Sequence, residues 1–155
     1  MLKKPKQTKY SKYQKGNISY NFKFKKFSFE KSGDSPLINN KIVLSLVALE
    51  PARFTAAQIA AAELAIKRKI KKEGSLNTRV FPHFPVTKKP LEVRMGKGKG
   101  SISYWMTRIQ PGSFLFELTC SNIELAKLAL KVASSKLPFK TTIIQFKYIE
   151  KKVHY

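Results

Sequence analysis

The sequence predicts an α+β fold, a two-layer α/β sandwich in which two helices cover one face of a mainly antiparallel sheet, preceded by a basic N-terminal arm. Three observations predict it: two amphipathic helical patterns, several β-prone runs bounded by Pro and Gly, and a lysine-rich start interleaved with aromatic residues. The length of 155 residues fits one domain. We expect residues 1–40 to form the arm and a loop, and residues 41–155 to form the compact α/β domain.

The arm is rich in Lys and in aromatic rings. Residues 1–31 hold ten Lys and a single acidic residue, Glu30, with seven Tyr and Phe spread between them. A solvated charged tail is the plain alternative, but regular aromatic interleaving suits base stacking combined with phosphate contact. Residues 32–40 have turn chemistry and separate the arm from the domain.

The first half of the domain predicts a strand and a helix. Ile42 to Leu49 is an apolar run short enough for a strand. Thr55 and Gln58 have capping-box spacing, which predicts a helix from Ala56 to Lys72 that ends before Gly74. A basic cluster in its last turns suits stabilisation of the helix dipole and RNA contact equally. The cluster comprises Lys67, Arg68, Lys69, Lys71 and Lys72.

The middle of the chain predicts short strands. Asn77 to Phe81 is a β-prone run closed by Pro82, and Leu91 to Arg94 is a second short one. Ser103 to Ile109 and Phe114 to Leu118 are expected to form a hairpin. The residues between them, Gln110-Pro111-Gly112-Ser113, have Pro and Gly placed for a type II turn.

A second helix and a last strand complete the predicted fold. Ser121 and Glu124 repeat the capping-box spacing ahead of an apolar stripe at helical period, and Pro138 stops the pattern. Thr141 to Tyr148 is β-branched and aromatic, which predicts a strand.

The net charge limits the class of partner. The chain has 31 Lys and Arg against 9 Asp and Glu, a formal charge of +22. Such a surplus favours a polyanion, because each cation set against a phosphate releases counterions. We expect no membrane partner, since no run approaches about 18 apolar residues and no basic helix has a large apolar face. Nucleic acid is the expected partner.

Catalytic and metal chemistry have little support. The single Cys120 cannot form an intramolecular disulfide, and one Cys with two His makes no zinc set. The one aspartate, Asp34, lies in turn-like sequence, and His83 has no evident carboxylate partner. We therefore expect a protein that is not an enzyme and that binds neither a cofactor nor a metal.

The most specific local feature is a glycine-lysine loop, Arg94-Met95-Gly96-Lys97-Gly98-Lys99-Gly100. Glycine permits unusual dihedral angles and close backbone approach, so amides and ammonium groups can lie along a sugar-phosphate backbone. The spacing fits neither the P-loop nor the dinucleotide-binding pattern. The alternative is a flexible surface loop that is basic.

Several ordered motifs resemble one family, the bacterial and organellar large-subunit ribosomal protein sixteen. The similarity covers residues 1–16 and 53–144. The motifs are Met1-Leu2, Pro5-Lys6, Thr8-Lys9-Tyr10, Thr55 to Ile59, Arg79-Val80-Phe81-Pro82, Lys89 to Gly100, Ile109-Gln110-Pro111-Gly112 and Lys136 to Thr142. The chain departs from the family pattern over residues 17–52 and in its last residues.

The resemblance implies a structural constituent of the large ribosomal subunit that serves translation. Its implied partners are large-subunit ribosomal RNA, transfer RNA and neighbouring ribosomal proteins, and it is not expected to form a homo-oligomer. The loop Arg94 to Gly100 would lie near transfer RNA at the peptidyl-transferase region. The implied ribosomal-RNA contacts are Lys3, Lys4, Lys6, Lys9, Lys12, Lys15, Arg79, Lys88 and Lys89.

Two further expectations concern the setting. Of the basic residues 26 are Lys and 5 are Arg, a bias typical of an AT-rich genome, which indicates an organelle or an AT-rich bacterium. We expect a mitochondrial ribosome, with plastid and bacterial cytoplasm as alternatives. The first sixteen residues lack the pattern of a secretion signal or a mitochondrial transit peptide, so an organellar protein would be encoded in the organelle. The alternative function is a free RNA-binding chaperone or splicing factor.

Overall fold

The computed structural model describes residues 3–18 and 42–146, and within these it contains two helices and seven strands. The predicted α+β class is confirmed. The elements in chain order are β1 (Ile42–Ala48), β2 (Ala52–Thr55), α1 (Ala56–Ile70), β3 (Gly74–Thr78), β4 (Phe84–Lys88), β5 (Ser101–Ile109), β6 (Phe114–Cys120), α2 (Ile123–Ser134) and β7 (Thr141–Phe146). Most of the predicted arm, residues 19–40, lies outside the described residues, as does the end of the predicted last strand.

The strands divide between two antiparallel sheets instead of forming one. A four-stranded sheet has the order β3-β6-β1-β7, and a three-stranded sheet has the order β2-β5-β4. The predicted hairpin of β5 with β6 is therefore wrong, because these strands belong to different sheets. The turn between them does form, with Gly112 at φ 81° and the Ser113 N–H donating to the Gln110 carbonyl at 3.1 Å. The Gly112 N–H also donates to Ala48, so the turn carries the chain from one sheet to the other.

One buried aromatic group connects the two sheets. Phe54 on β2 meets Phe116 on β6 edge to face, with ring centroids 6.5 Å apart, and meets Phe139 at 5.6 Å. All three rings belong to the buried core, together with the apolar faces of the helices. The two helices pack on each other, α2 also contacts β1, β6 and β7, and α1 contacts β2, β3 and β5. This core fixes the position of the three-stranded sheet, which holds the candidate site.

The helix predictions hold except at their ends. Thr55 caps α1 with the complete capping box to Gln58, as expected. The helix ends at Ile70 and not at Lys72, because Lys71 takes a positive φ of 53°. The predicted cap of α2, Ser121, is wrong by one residue: the side chain of Asn122 accepts the hydrogen bonds from the first free amides.

Two strand predictions around the prolines are wrong. Residues 91–93 form a turn and a bend, and no strand includes residues 91–94. The β-prone run at 77–81 is displaced, since β3 covers Gly74–Thr78. Phe84–Lys88 is a strand although it contains Pro85. Pro85 is tolerated because β4 is an edge strand of its sheet, with a neighbouring strand on one side only.

Candidate nucleic-acid interface

The glycine-lysine loop leaves β4, extends into solvent and returns at β5. Every residue from Leu91 to Lys99 is exposed, and Met95 is 95% exposed. Three consecutive residues, Gly96, Lys97 and Gly98, have positive φ angles of 96°, 53° and 83°. A Cβ at Gly96 or Gly98 would meet nothing within 4 Å, so glycine is needed there for backbone conformation and not for space.

The third glycine of the loop has a different role. A Cβ at Gly100 would lie 2.5 Å from the carbonyl oxygen of Lys88, so only glycine lets the two sides of the loop approach each other. Lys88 itself ends β4 opposite Ser101. Next to it, Lys89 Nζ donates to the carbonyl of Gly96, which bends the tip of the loop back toward its base.

The arm reaches this loop directly. Lys12 Nζ donates to the carbonyl of Lys99 at 2.7 Å, and Lys99 Nζ donates to the carbonyl of Tyr13. These reciprocal hydrogen bonds join residues 87 and 86 positions apart in the chain. Residues 12–16 and 88–100 together form what we term the arm–loop surface. It carries seven cationic side chains and one carboxylate, Glu92.

Two arginines of the three-stranded sheet bind the backbone of the arm. Arg108 Nη2 donates to the carbonyls of Gln14, at 3.3 Å, and of Lys15. Arg53 Nη2 donates to the carbonyl of Gly16 at 2.9 Å. Three consecutive backbone carbonyls of the arm are therefore bound by guanidinium groups of the three-stranded sheet.

Aromatic contacts add to this attachment. The ring of Tyr13 lies 5.5 Å from that of Phe84, and the guanidinium of Arg108 lies 4.3 Å from the centroid of the same Phe84 ring. An arginine over an aromatic face gains a cation–π attraction of about 0.5–1 kcal/mol at an exposed site. Phe84 thus supports both the arm and the arginine that binds it.

The remaining predicted arm lysines are distributed differently. Lys4, Lys6 and Lys9 are exposed, and the ammonium of Lys9 lies over the ring of Tyr10 at 5.5 Å. Lys3 forms an ion pair with Glu63 of α1 at 3.0 Å. Partial burial acts to raise the pKa of Glu63, but hydrogen bonds and charge from Lys67 and Lys3 outweigh it and hold that pKa below its ordinary value.

Arg79 is separate from this network. It follows β3 in the four-stranded sheet, and its Nε lies 2.7 Å from Oε1 of Glu117, a residue that is only 8% exposed. The side chain of Arg79 is 35% exposed. Of the predicted contacts, Lys12, Lys15, Lys88, Lys89 and the loop are brought together, whereas Arg79 follows β3 and the arm residue Lys3 pairs with Glu63 of α1.

Sequence reasoning missed three residues of the site: Arg53, Arg108 and Phe84. It expected the rings of the arm, Tyr13 among them, to stack on bases, whereas Tyr13 contacts Phe84. The two arginines are register partners on β2 and β5, which becomes visible only when the pairing of those strands is known. A weak signal existed, because these are two of only five arginines in a chain that otherwise uses lysine.

Among the described residues, neither a catalytic site nor a metal site is formed. His83 is exposed and its Nδ1 lies 3.2 Å from the carbonyl oxygen of Phe81, while Cys120 is buried with its Sγ 3.6 Å from the carbonyl of Glu73. Within residues 3–18 and 42–146 no group of three or more His, Cys, Asp or Glu could hold a metal ion. In the same ranges no helix has the length and apolar character to cross a bilayer.

Comparison with known proteins agrees with the motif resemblance. A family model described as ribosomal protein L16p/L10e matches residues 5–144, which include the whole arm–loop surface. Large ribosomal subunit protein uL16 of Acinetobacter baylyi is 45% identical over 141 residues, covering 90% of this chain and 94% of that protein. The uL16 of Psychrobacter arcticus is 46% identical over 142 residues, covering 91% and 95%. That of Blochmanniella pennsylvanica is 44% identical over 149 residues, covering 93% and 98%. The chain therefore belongs to the ribosomal protein L16p/L10e family.

Proposed function

We propose that the protein is a structural constituent of the large ribosomal subunit, which binds ribosomal RNA through its arm–loop surface and helps to position transfer RNA. One observation carries the RNA-binding part: two cationic segments far apart in the chain are hydrogen-bonded into one exposed surface. Lys12 and Lys99 are the residues that join them. Seven cations with one carboxylate form a surface whose natural counterpart is a row of phosphates.

The proposed contacts divide into two groups. Lysines of the arm and of the end of β4 neutralise phosphates and set the position of the protein on ribosomal RNA. These are Lys3, Lys4, Lys6, Lys9, Lys12, Lys15, Lys88 and Lys89. Arg79 joins this group through the exposed part of its side chain, while its Nε remains with Glu117.

The loop shares in the ribosomal-RNA contact of the arm–loop surface and is proposed, in addition, to act toward transfer RNA. Arg94, Lys97 and Lys99 are all exposed, and Gly96, Lys97 and Gly98 at the tip of the loop have positive φ angles. Such a loop recognises phosphate and shape, not base sequence. Lys97→Ala combined with Lys99→Ala should therefore slow transfer RNA accommodation on purified ribosomes more than it reduces the protein content of the large subunit.

A sucrose gradient tests the ribosomal assignment against a free RNA-binding chaperone or splicing factor. A constituent of the subunit moves with the large subunit at moderate salt and leaves it only at high salt, because counterion release makes its affinity salt-dependent. A free factor stays at the top of the gradient at moderate salt. Protein at the top of the gradient at moderate salt would contradict the ribosomal assignment but not the proposed RNA binding.

The setting and the absence of catalysis are also proposals. The mitochondrion is the proposed compartment, with plastid and bacterial cytoplasm as the alternatives that cell fractionation distinguishes. The ratio of 26 Lys to 5 Arg supports an organelle or an AT-rich bacterium. No catalytic step is proposed. An RNA-modifying or RNA-cleaving activity lost on His83→Ala, with folding and RNA affinity intact, would show that view to be wrong.

A further inference from the structure

We infer that Arg53 and Arg108 are positioning residues, whose guanidinium groups bind the arm of this chain and not RNA, and that the arm in turn holds the glycine-lysine loop. The inference rests on the proposed RNA binding and adds a division of labour among the cations. The lysines contact phosphate, and the two arginines hold in place the surface that carries those lysines.

The position of the two arginines supports this role first. Arg53 and Arg108 are direct register partners on neighbouring antiparallel strands. Like charges placed opposite each other in a sheet destabilise it unless negative groups lie between or above them. The three carbonyl oxygens of Gln14, Lys15 and Gly16 supply partial negative charge at that place.

The geometry of Gly16 supports it independently. Gly16 has a φ of +53°, in the left-handed region that residues with a side chain rarely adopt. A Cβ there would also lie 3.2 Å from Nη2 of Arg108, closer than ordinary contact. Glycine thus lets the guanidinium approach the arm backbone, which indicates a close fit between Arg108 and the arm.

The arm connects the arginines to the loop. The segment that the arginines hold, residues 14–16, directly follows the two residues that bond to the loop, Lys12 and Tyr13. The ring of Tyr13 also contacts that of Phe84, and the guanidinium of Arg108 lies over the same Phe84 ring. A chain of contacts therefore runs from Arg108 through the arm to Lys99, without direct contact between Arg108 and the loop being required.

The test measures binding of purified full-length variants to purified large-subunit ribosomal RNA across a range of salt. Arg108→Ala should lower affinity by about three- to tenfold, the effect of one hydrogen bond of ordinary net strength. The slope of log affinity against log salt should stay unchanged, because the phosphate-binding lysines remain. Lys97→Ala should instead lower that slope by about 0.7–0.9, the effect of one lost phosphate contact.

Three further variants separate arm positioning from a change in net charge. Gly16→Ala removes no charge and lies on the arm outside the core, so it should reproduce the effect of Arg108→Ala with the slope intact. Lys127→Ala removes one exposed cation from α2, outside the arm–loop surface, and serves as the charge control, which should not weaken binding by more than about twofold. Arg108→Lys keeps the charge but loses the planar group over Phe84, so it should restore binding only in part.

A double-mutant cycle tests the coupling itself. Arg108→Ala and Lys97→Ala together should cost less affinity than the product of their separate effects, by at least about twofold, because the first already releases the loop that the second alters. Additive effects, a slope lowered by Arg108→Ala, or full rescue by Arg108→Lys would each overturn the inference. If the unaltered protein does not bind the RNA, the proposed function fails instead.

Discussion

The arm–loop surface should determine the salt dependence of RNA binding, and replacement of its loop lysines is the best test of this. In the variant Lys97→Ala with Lys99→Ala, two exposed cations are removed from a surface that has seven. Counterion release contributes about 0.7–0.9 per phosphate contact to the slope of log affinity against log salt, so the slope should fall by about 1.4–1.8. When salt is raised from about 50 to 200 mM, RNA binding should therefore weaken by a factor about tenfold smaller in the variant than in the unaltered protein.

The matched control is Lys127→Ala with Lys131→Ala. These lysines are exposed on α2 and make the same change in net charge, but they lie on an element outside the arm–loop surface. Filter binding or fluorescence anisotropy with large-subunit ribosomal RNA measures both slopes. If the α2 variant lowers the slope as much as the loop variant does, then total charge and not the arm–loop surface determines binding, and the reasoning fails.

Three further predictions concern the fold. Asn122→Ala should lower the free energy of unfolding by about 0.5–2 kcal/mol, the usual loss of a helix cap, while Ser121→Ala should change it by less than about 0.5 kcal/mol, as measured by urea denaturation. Arg79→Ala leaves the largely buried Glu117 carboxylate without its ion pair. Since that pair is only partly buried, the free energy of unfolding should fall by about 1 to 3 kcal/mol. A loss near zero would show that Arg79 serves RNA alone. Glu63 has a folded-state pKa below its ordinary value of 4.5, so its ion pairs should stabilise the fold above that pH and lose their effect as pH falls through the lowered pKa. Glu63→Gln should therefore be less stable than the unaltered protein at neutral pH, and a difference that persists at the acid end would contradict this account.

Features set by neighbouring residues could be predicted from the sequence. The capping box of Thr55 and Gln58 is satisfied within four residues, and α1 begins where it indicates. The turn at Pro111 and Gly112 also has the expected geometry, because its dihedral angles depend on those residues alone. The cap of α2 is ambiguous in the sequence because Ser121 and Asn122 both have side chains that can cap a helix, and only the structure shows which one does.

Features set by distant residues could not be predicted in the same way. A local turn indicates reversal of the chain but not the partner of each strand, and β5 and β6 pair with strands of two different sheets. The attachment of the arm is the clearest case. The bond from Arg53 to Gly16 spans 37 positions and that from Arg108 to Lys15 spans 93, and each uses a backbone carbonyl, which every residue has. No side-chain pattern marks such an acceptor.

Chemical modification of lysines tests the central claim most directly, that the arm–loop surface lies on RNA. Acetylation of the free protein and of intact large subunits, followed by mass spectrometry, gives a protection ratio for each lysine. Lys12, Lys15, Lys97 and Lys99 should be strongly protected in the subunit and should become reactive again after ribonuclease treatment. Equal reactivity of these four lysines in the free protein and in the subunit would contradict the account.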